Sequence, residues 1–283
     1  MRAASLALGL VLAAPAARAY CRTTTMPAQP DPTVCPAEGR PIAWGAGCAG
    51  FRFDPALLPD PRVISRAQVG TVLDRSAQAW ATVPCDPSTR AAPSFTLVRL
   101  ADGPSALGYF EGEGNTNTVA FRELWAEDAY HPPDAAAVTI VTFGARSAAI
   151  LDADTELNLR TERNPRGFGF ATNGDPRSAD LQTIVTHEFG HAMGLAHSGM
   201  RDAVMWYTAG RGEQRQTPTA DDVAGVCEIY PPSRFAICDP DVRAARYVGG
   251  GAHCGIARAP GASSLARVAL ALSLAAVIAR RRR

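Results

Sequence analysis

Hydrophobic and polar positions alternate with two different periods along this chain. Between Ser65 and Ala81, Val69, Val72, Leu73, Ser76 and Trp80 recur about every 3.6 residues, which predicts one face of a helix stopped by Pro84. Shorter apolar, β-branched runs at Phe95–Leu100, Thr116–Phe121 and Ala136–Phe143 predict strands. Ala149–Leu159 has a strict period of two. Ile150, Asp152, Asp154, Glu156 and Asn158 share one parity, and Leu151, Ala153, Thr155 and Leu157 share the other, which predicts a strand with one polar face. A second helix is expected from near Asp175 and Pro176 to Met193, with Asp175 as N-cap and Pro176 at the first helical position. A third covers Ala220–Ile229, with Asp221 and Asp222 at its positive end. With no internal repeat, this order predicts an α+β (mixed) layered domain.

Both ends depart from this pattern. Residues 1–19 combine Arg2, a twelve-residue apolar run from Ala3 to Ala14, and the small-x-small site Ala17-Arg18-Ala19. That order predicts a secretory signal cleaved before Tyr20. At the other end a glycine run leads to Cys254-Gly255, a twelve-residue apolar run from Val268 to Ala279, and Arg280 to Arg283. The run is shorter than the ~20 residues of a spanning helix. This segment resembles the C-terminal sorting tail of myxobacterial surface proteins, with a Cys-Gly site, a short hydrophobic helix and an arginine cluster. The resemblance implies a removed tail and Cys254 as the anchor-processing position. The expected organisation is therefore a signal peptide (1–19), a catalytic domain (20–235, its part 20–41 irregular and disulfide-rich), a linker (236–250) and a sorting signal (251–283).

Composition narrows the function classes. The chain has 283 residues, 47% of them hydrophobic and 19% charged, so an extensive core is expected. The net charge of +1 argues against nucleic acid as a partner. All 28 basic residues are arginines, which excludes Schiff-base chemistry and a phosphate-loop lysine. The two predicted removable ends hold eight of those arginines and no acid, so the predicted mature protein carries 20 basic against 27 acidic residues, a net −7. Seven cysteines suit an exported protein. Cys21, Cys35, Cys48, Cys85, Cys227 and Cys238 are enough for three disulfides, among fifteen possible pairings, and Cys254 is left over.

The chemistry concentrates at His187-Glu188-Phe189-Gly190-His191-Ala192-Met193-Gly194-Leu195-Ala196-His197. On a helix His187 and His191 project from one face, one turn apart. Gly194 allows positive φ, so the chain can turn and bring His197 to the same point. Three neutral imidazoles leave a fourth position open, the ligand set of a catalytic Zn²⁺. Glu188 is then placed to accept a proton from water activated there.

This spacing is the metzincin signature, H-E-x-x-H-x-x-G-x-x-H. Met205, eight residues after His197, matches the methionine turn, and that spacing resembles the matrixin branch. So do Ser198 directly after the third His, Asp180-Leu181 ahead of the motif, and Asp221-Asp222-Val223-Ala224-Gly225-Val226 with Ile229-Tyr230 after it. The resemblance implies a twisted, mostly parallel five-stranded sheet, an active-site helix, a C-terminal helix and a cleft above a small lower subdomain. It implies peptide binding along an edge strand, with Ile150–Asn158 near that edge.

Some positions differ from the family. Tyr207 follows Met205 by two residues, as in astacin- and serralysin-like enzymes, and is either an oxyanion-stabilising phenol or a wall of the specificity pocket. His131 alone is available for the animal matrixins' structural zinc. Asp152, Asp154 and Glu156 are candidates for Ca²⁺ or for a solvated strand face. The expected function is an exported, monomeric, surface-anchored zinc endopeptidase acting on protein or peptide substrates, handled by export and C-terminal sorting machinery. Two alternatives stay open: a binding protein on an inactive protease fold, and a zinc amidase acting on non-protein amides.

Overall fold

The computed structural model describes residues 19–232 apart from 28, 59–63, 112–114, 124, 126–130, 133 and 160–168, together with residue 238 and the backbone of 265–270. Residues 1–18, Cys254 and nearly all of 251–283 lie outside the described residues.

In chain order the elements are β1 (Cys48–Asp54), α1 (Arg66–Ala81), β2 (Thr96–Arg99), β3 (Asn117–Arg122), β4 (Ala137–Gly144), β5 (Ile150–Asn158), β6 (Phe170–Ala171), β7 (Ala179–Asp180), α2 (Leu181–Ala192), α3 (Ala220–Ile229) and β8 (Leu265–Leu270). The main sheet runs β2-β1-β3-β5-β4-β8. Its first three pairings are parallel, and β4 closes antiparallel on β5 with a register shift between Thr142 and Phe143. The first five strands form the mixed, mostly parallel sheet expected of the fold, with α1 and α2 against it. β8 lies antiparallel on β4, so the start of the terminal apolar run is extended where the tail resemblance implied a helix. No helix of the described residues is long and apolar enough to cross a membrane.

α1 begins where the pattern predicts. Ser65 caps it reciprocally with Gln68, and Val69, Val72, Leu73, Ser76 and Trp80 are buried. Trp80 donates its indole N–H to Thr186 O at 2.8 Å, tying α1 to α2. β1 was not anticipated. Its CAGFRFD run is short and rich in small residues, yet Phe51 and Phe53 are fully buried in the sheet.

Two expectations need correction. The active-site helix starts at Leu181, and its N-cap is Asp180, which accepts from Thr183 N at 2.8 Å. Asp175 instead closes a local turn, accepting from Arg177 N and Ser178 Oγ. The Asp-Pro pair is a good start signal, but it lies before the small β6–β7 pairing. The polar parity of β5 is also not solvated: Asp152, Asp154 and Glu156 are 2–3% exposed. β5 lies next to β4, with β8 beyond, at that end of the sheet.

The six cysteines join as Cys21–Cys35, Cys48–Cys238 and Cys85–Cys227. The last ties the loop after α1 to α3. Cys21–Cys35 closes the irregular N-terminal segment, which bridges to the chain after α2 through Arg22 and Leu195.

Candidate active site

α2 is buried along nearly its whole length, with the sheet on one side and α1 on another. Its histidines therefore sit in a low-dielectric interior. His187 and His191 are one turn apart, with ring centroids 4.6 Å apart and Nε2 atoms 3.0 Å apart. Leu195 N then reaches Gly190 O at 3.0 Å, closing the helix in a six-to-one turn. Gly194 carries the turn at φ +96°, and a Cβ there would lie 2.8 Å from Ile42 O, so both the backbone angle and the space call for glycine. Past the turn, His197 comes back with its ring centroid 5.3 Å from that of His187 and 5.1 Å from that of His191. One potential ligand atom from each histidine lies within 4.8 Å of the others.

Backbone carbonyls hold the two helical rings. His187 Nδ1 lies 2.7 Å from Val204 O, and His191 Nδ1 lies 2.8 Å from Leu195 O. A carbonyl only accepts, so Nδ1 carries the proton and Nε2 presents a lone pair. Burial pushes His187 down to about 4, and burial with the neighbouring imidazoles pushes His191 and His197 well below the usual range. All three are neutral at physiological pH, as metal binding requires.

Glu188 is fully buried, and burial raises its carboxyl to about 8 despite the hydrogen bond from Thr139. Thr139 Oγ1, from β4, donates to Glu188 Oε2 at 2.7 Å, while Glu188 Oε1 is buried without a hydrogen-bond partner. Both ring nitrogens of His197 are also buried without one. Unpaired buried polar atoms are costly. A divalent cation among three neutral imidazoles would satisfy His197 and favour ionisation of Glu188. The donor set, three nitrogens and no thiolate, suits zinc. The residues present therefore fit the ion.

The chain after His197 supplies the floor. Ser198 N donates to Met205 O at 2.8 Å, and Asp222 of α3 accepts from Val204 N at 2.8 Å and Met205 N at 3.0 Å. The turn that holds His187 by Val204 O is thus itself clamped by one buried carboxylate. Met205 packs under α2 at Gly190, where an added Cβ would overlap its sulfur and come 2.9 Å from Trp80 Cζ2. The Tyr207 ring lies 6.1 Å from that of His197.

Of the residues singled out from sequence, His187, Glu188, His191, Gly194, His197, Met205 and Tyr207 come together here. Asp152, Asp154 and Glu156 do not. They lie on the β5 parity opposite Thr155, whose hydroxyl is 3.0 Å from Thr139 Oγ1 on the α2 side. Asp154 accepts from Gly108 N and Thr118 N, and Glu156 pairs with Arg122 and His131. Among the described residues, the three histidines alone form a group with metal-binding geometry. Sequence reasoning missed Thr139, the carbonyls of Leu195 and Val204, and the clamp by Asp222. Only the aspartate had a visible signal, its place three residues after Thr219 in a capping box.

Comparison with known proteins agrees with the geometry. Residues 118–231 match the family model described as Matrixin. A 56-residue stretch is 41% identical to Metalloendoproteinase 1-MMP of Arabidopsis thaliana, covering 20% of this chain and 15% of that protein. Over 60 residues the chain is 37% identical to mouse Matrilysin and 35% identical to human Matrilysin, in each case 21% of this chain and 23% and 22% of those proteins. The matched segments thus span less than a quarter of these relatives. Over 118–231 in sequence, and in its α+β fold and histidine site, this chain is similar to the matrixins within the metzincin type.

Proposed function

We propose that this chain is an exported zinc-dependent endopeptidase. The observation that carries the reading is the convergence of three neutral, buried imidazoles beside a buried carboxylate with one oxygen unpaired. His187, His191 and His197 would hold the ion. Zinc held in this way supplies a Lewis acid that polarises a carbonyl and acidifies water. The rest falls to the chain. Glu188 Oε1 accepts the proton of the attacking water and passes it to the departing amine. Thr139 keeps the other carboxylate oxygen fixed. Val204 and Leu195 orient the imidazoles, and Asp222 keeps the Met205 turn under them. Tyr207 stands beside His197, as a pocket wall or as an oxyanion donor. The substrate is a protein or peptide, and three disulfides fit an oxidising compartment. The signal at 1–19 and surface anchoring through Cys254 belong to the same reading.

The test is cleavage-site profiling of purified protein on a peptide library, with and without a chelator. Cleavage with about one zinc per chain, abolished by chelation and restored by zinc, is the expected result. Zinc binding with no cleavage of any peptide would overturn the reading and leave the binding-protein alternative. For the tail, mass spectrometry of surface-fraction protein should find no peptides through Arg283.

A further inference from the structure

The disulfide-closed segment at residues 21–35 lies against the third zinc-ligand candidate. Cys21 O accepts from Ala196 N at 2.9 Å, Thr23 N donates to Gly194 O at 3.0 Å, and Thr23 Oγ1 donates to Leu195 O at 3.0 Å. Between this segment and Ala196-His197 is a small, open recess. Its rim carries Met26, Pro32, Val34 and Pro36, and one end reaches His197. Met26 and Val34 are 43% and 52% exposed, among the few large apolar side chains that face solvent in the described residues. The charged group on the rim, Asp31, is already engaged by Thr33 N and Oγ1 at 2.9 and 2.7 Å. The segment lies wholly outside the stretch that matches the Matrixin model.

We infer that this recess is a specificity subsite, and that it takes an aliphatic side chain of the peptide being cleaved. Three observations combine. The recess and the metal site have His197 in common. Met26 and Val34 on its rim are apolar and exposed, and an aliphatic occupant would desolvate them. The walls are tied by a disulfide and by backbone hydrogen bonds to the ligand-bearing chain, so the subsite is preformed and keeps its position relative to His197. An acidic side chain is disfavoured by the neighbouring Asp31 carboxylate.

This inference rests on the endopeptidase reading, and the experiment separates the two. Full-length processed protein and Val34→Arg are profiled on the same peptide library. The wild type is expected to prefer aliphatic residues at one position near the scissile bond. Val34→Arg is expected to lose about tenfold in kcat/KM for those peptides and to gain for peptides acidic at that position, with other positions unchanged. Val34 is exposed, so the substitution leaves the fold intact, checked by thermal melting. A Val34→Arg profile identical to wild type at every position overturns the subsite while leaving the endopeptidase standing. If the wild type cleaves nothing, calorimetric titration of Glu188→Gln with an aliphatic and an acidic peptide decides the recess separately. About tenfold weaker binding of the aliphatic peptide on adding Val34→Arg supports it, and equal binding overturns it. A dimer that covers the recess, seen by sedimentation, also overturns it.

Discussion

The two faces of the β4–β5 pair both bury carboxylates, and they use them in opposite ways. Toward α2, Glu188 has one oxygen held by Thr139 and the other left without a partner beside three imidazoles. On the far face, Asp154 is clasped by Gly108 N and Thr118 N, Asp152 is hydrogen-bonded to Asp154, and Glu156 pairs with Arg122 and His131. Burial raises Glu188, Asp152 and Asp154 alike; the neighbouring Asp154 raises Asp152 further, and the Glu156 charge raises Asp154. A raised carboxyl is therefore no mark of catalysis by itself. What separates the faces is what stands around the carboxylate: a group of neutral imidazoles at Glu188, and Arg122 with His131 at Glu156. The α2 side is built to complete its bonding with something from outside, whereas the far side is largely complete within the chain and holds down the loop at 101–111.

The contrast can be broken most sharply at Glu188. Glu188→Gln should lower kcat by about 10³-fold, within the range for a lost general base, with zinc content unchanged by elemental analysis. A variant that cleaves as fast as wild type ends the mechanism proposed. Asp154→Ala should do the reverse. It leaves two buried N–H groups unpaired and should cost about 3 kcal/mol in denaturant unfolding, with zinc content and peptide preference retained. Zinc loss from that variant would mean that the two faces are not independent.

Thr139→Val sharpens the α2 side. It removes one hydrogen bond to the carboxylate and should lower kcat about tenfold with KM little changed. A change in KM alone would make Thr139 a binding residue. The smallest effect is expected in the pH dependence of stability. Burial holds both carboxyls of the Asp152–Asp154 pair above the unfolded range near 4. The folded state keeps protons that the unfolded chain releases. The pair's stability is therefore present below about pH 4 and lost as pH rises through the raised values. Asp152→Asn should flatten this slope, leaving the variant favoured over wild type at pH 9 more than at pH 5. An unchanged slope would locate the pH dependence elsewhere.

Much of this was legible in the residues. The 3.6 period of α1 and its Ser65–Gln68 cap are local, and so is the parity of β5. The HExxH spacing alone puts two imidazoles on one helix face, and Gly194 permits the return of His197. The misses have a common cause. Asp175-Pro176 is a better local start signal than Asp180-Leu181, but the helix begins only where Asp180 also meets Gln216, 36 residues on. The acidic parity of β5 looks solvated unless the loop at 101–111 is known to lie over it. Thr139 is anonymous within an apolar strand until β4 packs against α2.

Sequence by itself determined the ligand types, their order around a helix and a glycine turn, and which six cysteines had partners to find. Those depend on covalent spacing and on backbone geometry within one or two turns. Tertiary structure decided which carboxylate stands beside the three imidazoles, which carbonyls hold the imidazoles, how the cysteines pair, and that a disulfide loop comes to stand beside His197. Each of these depends on burial and on partners far away in the chain, and desolvation has no counterpart in a local pattern.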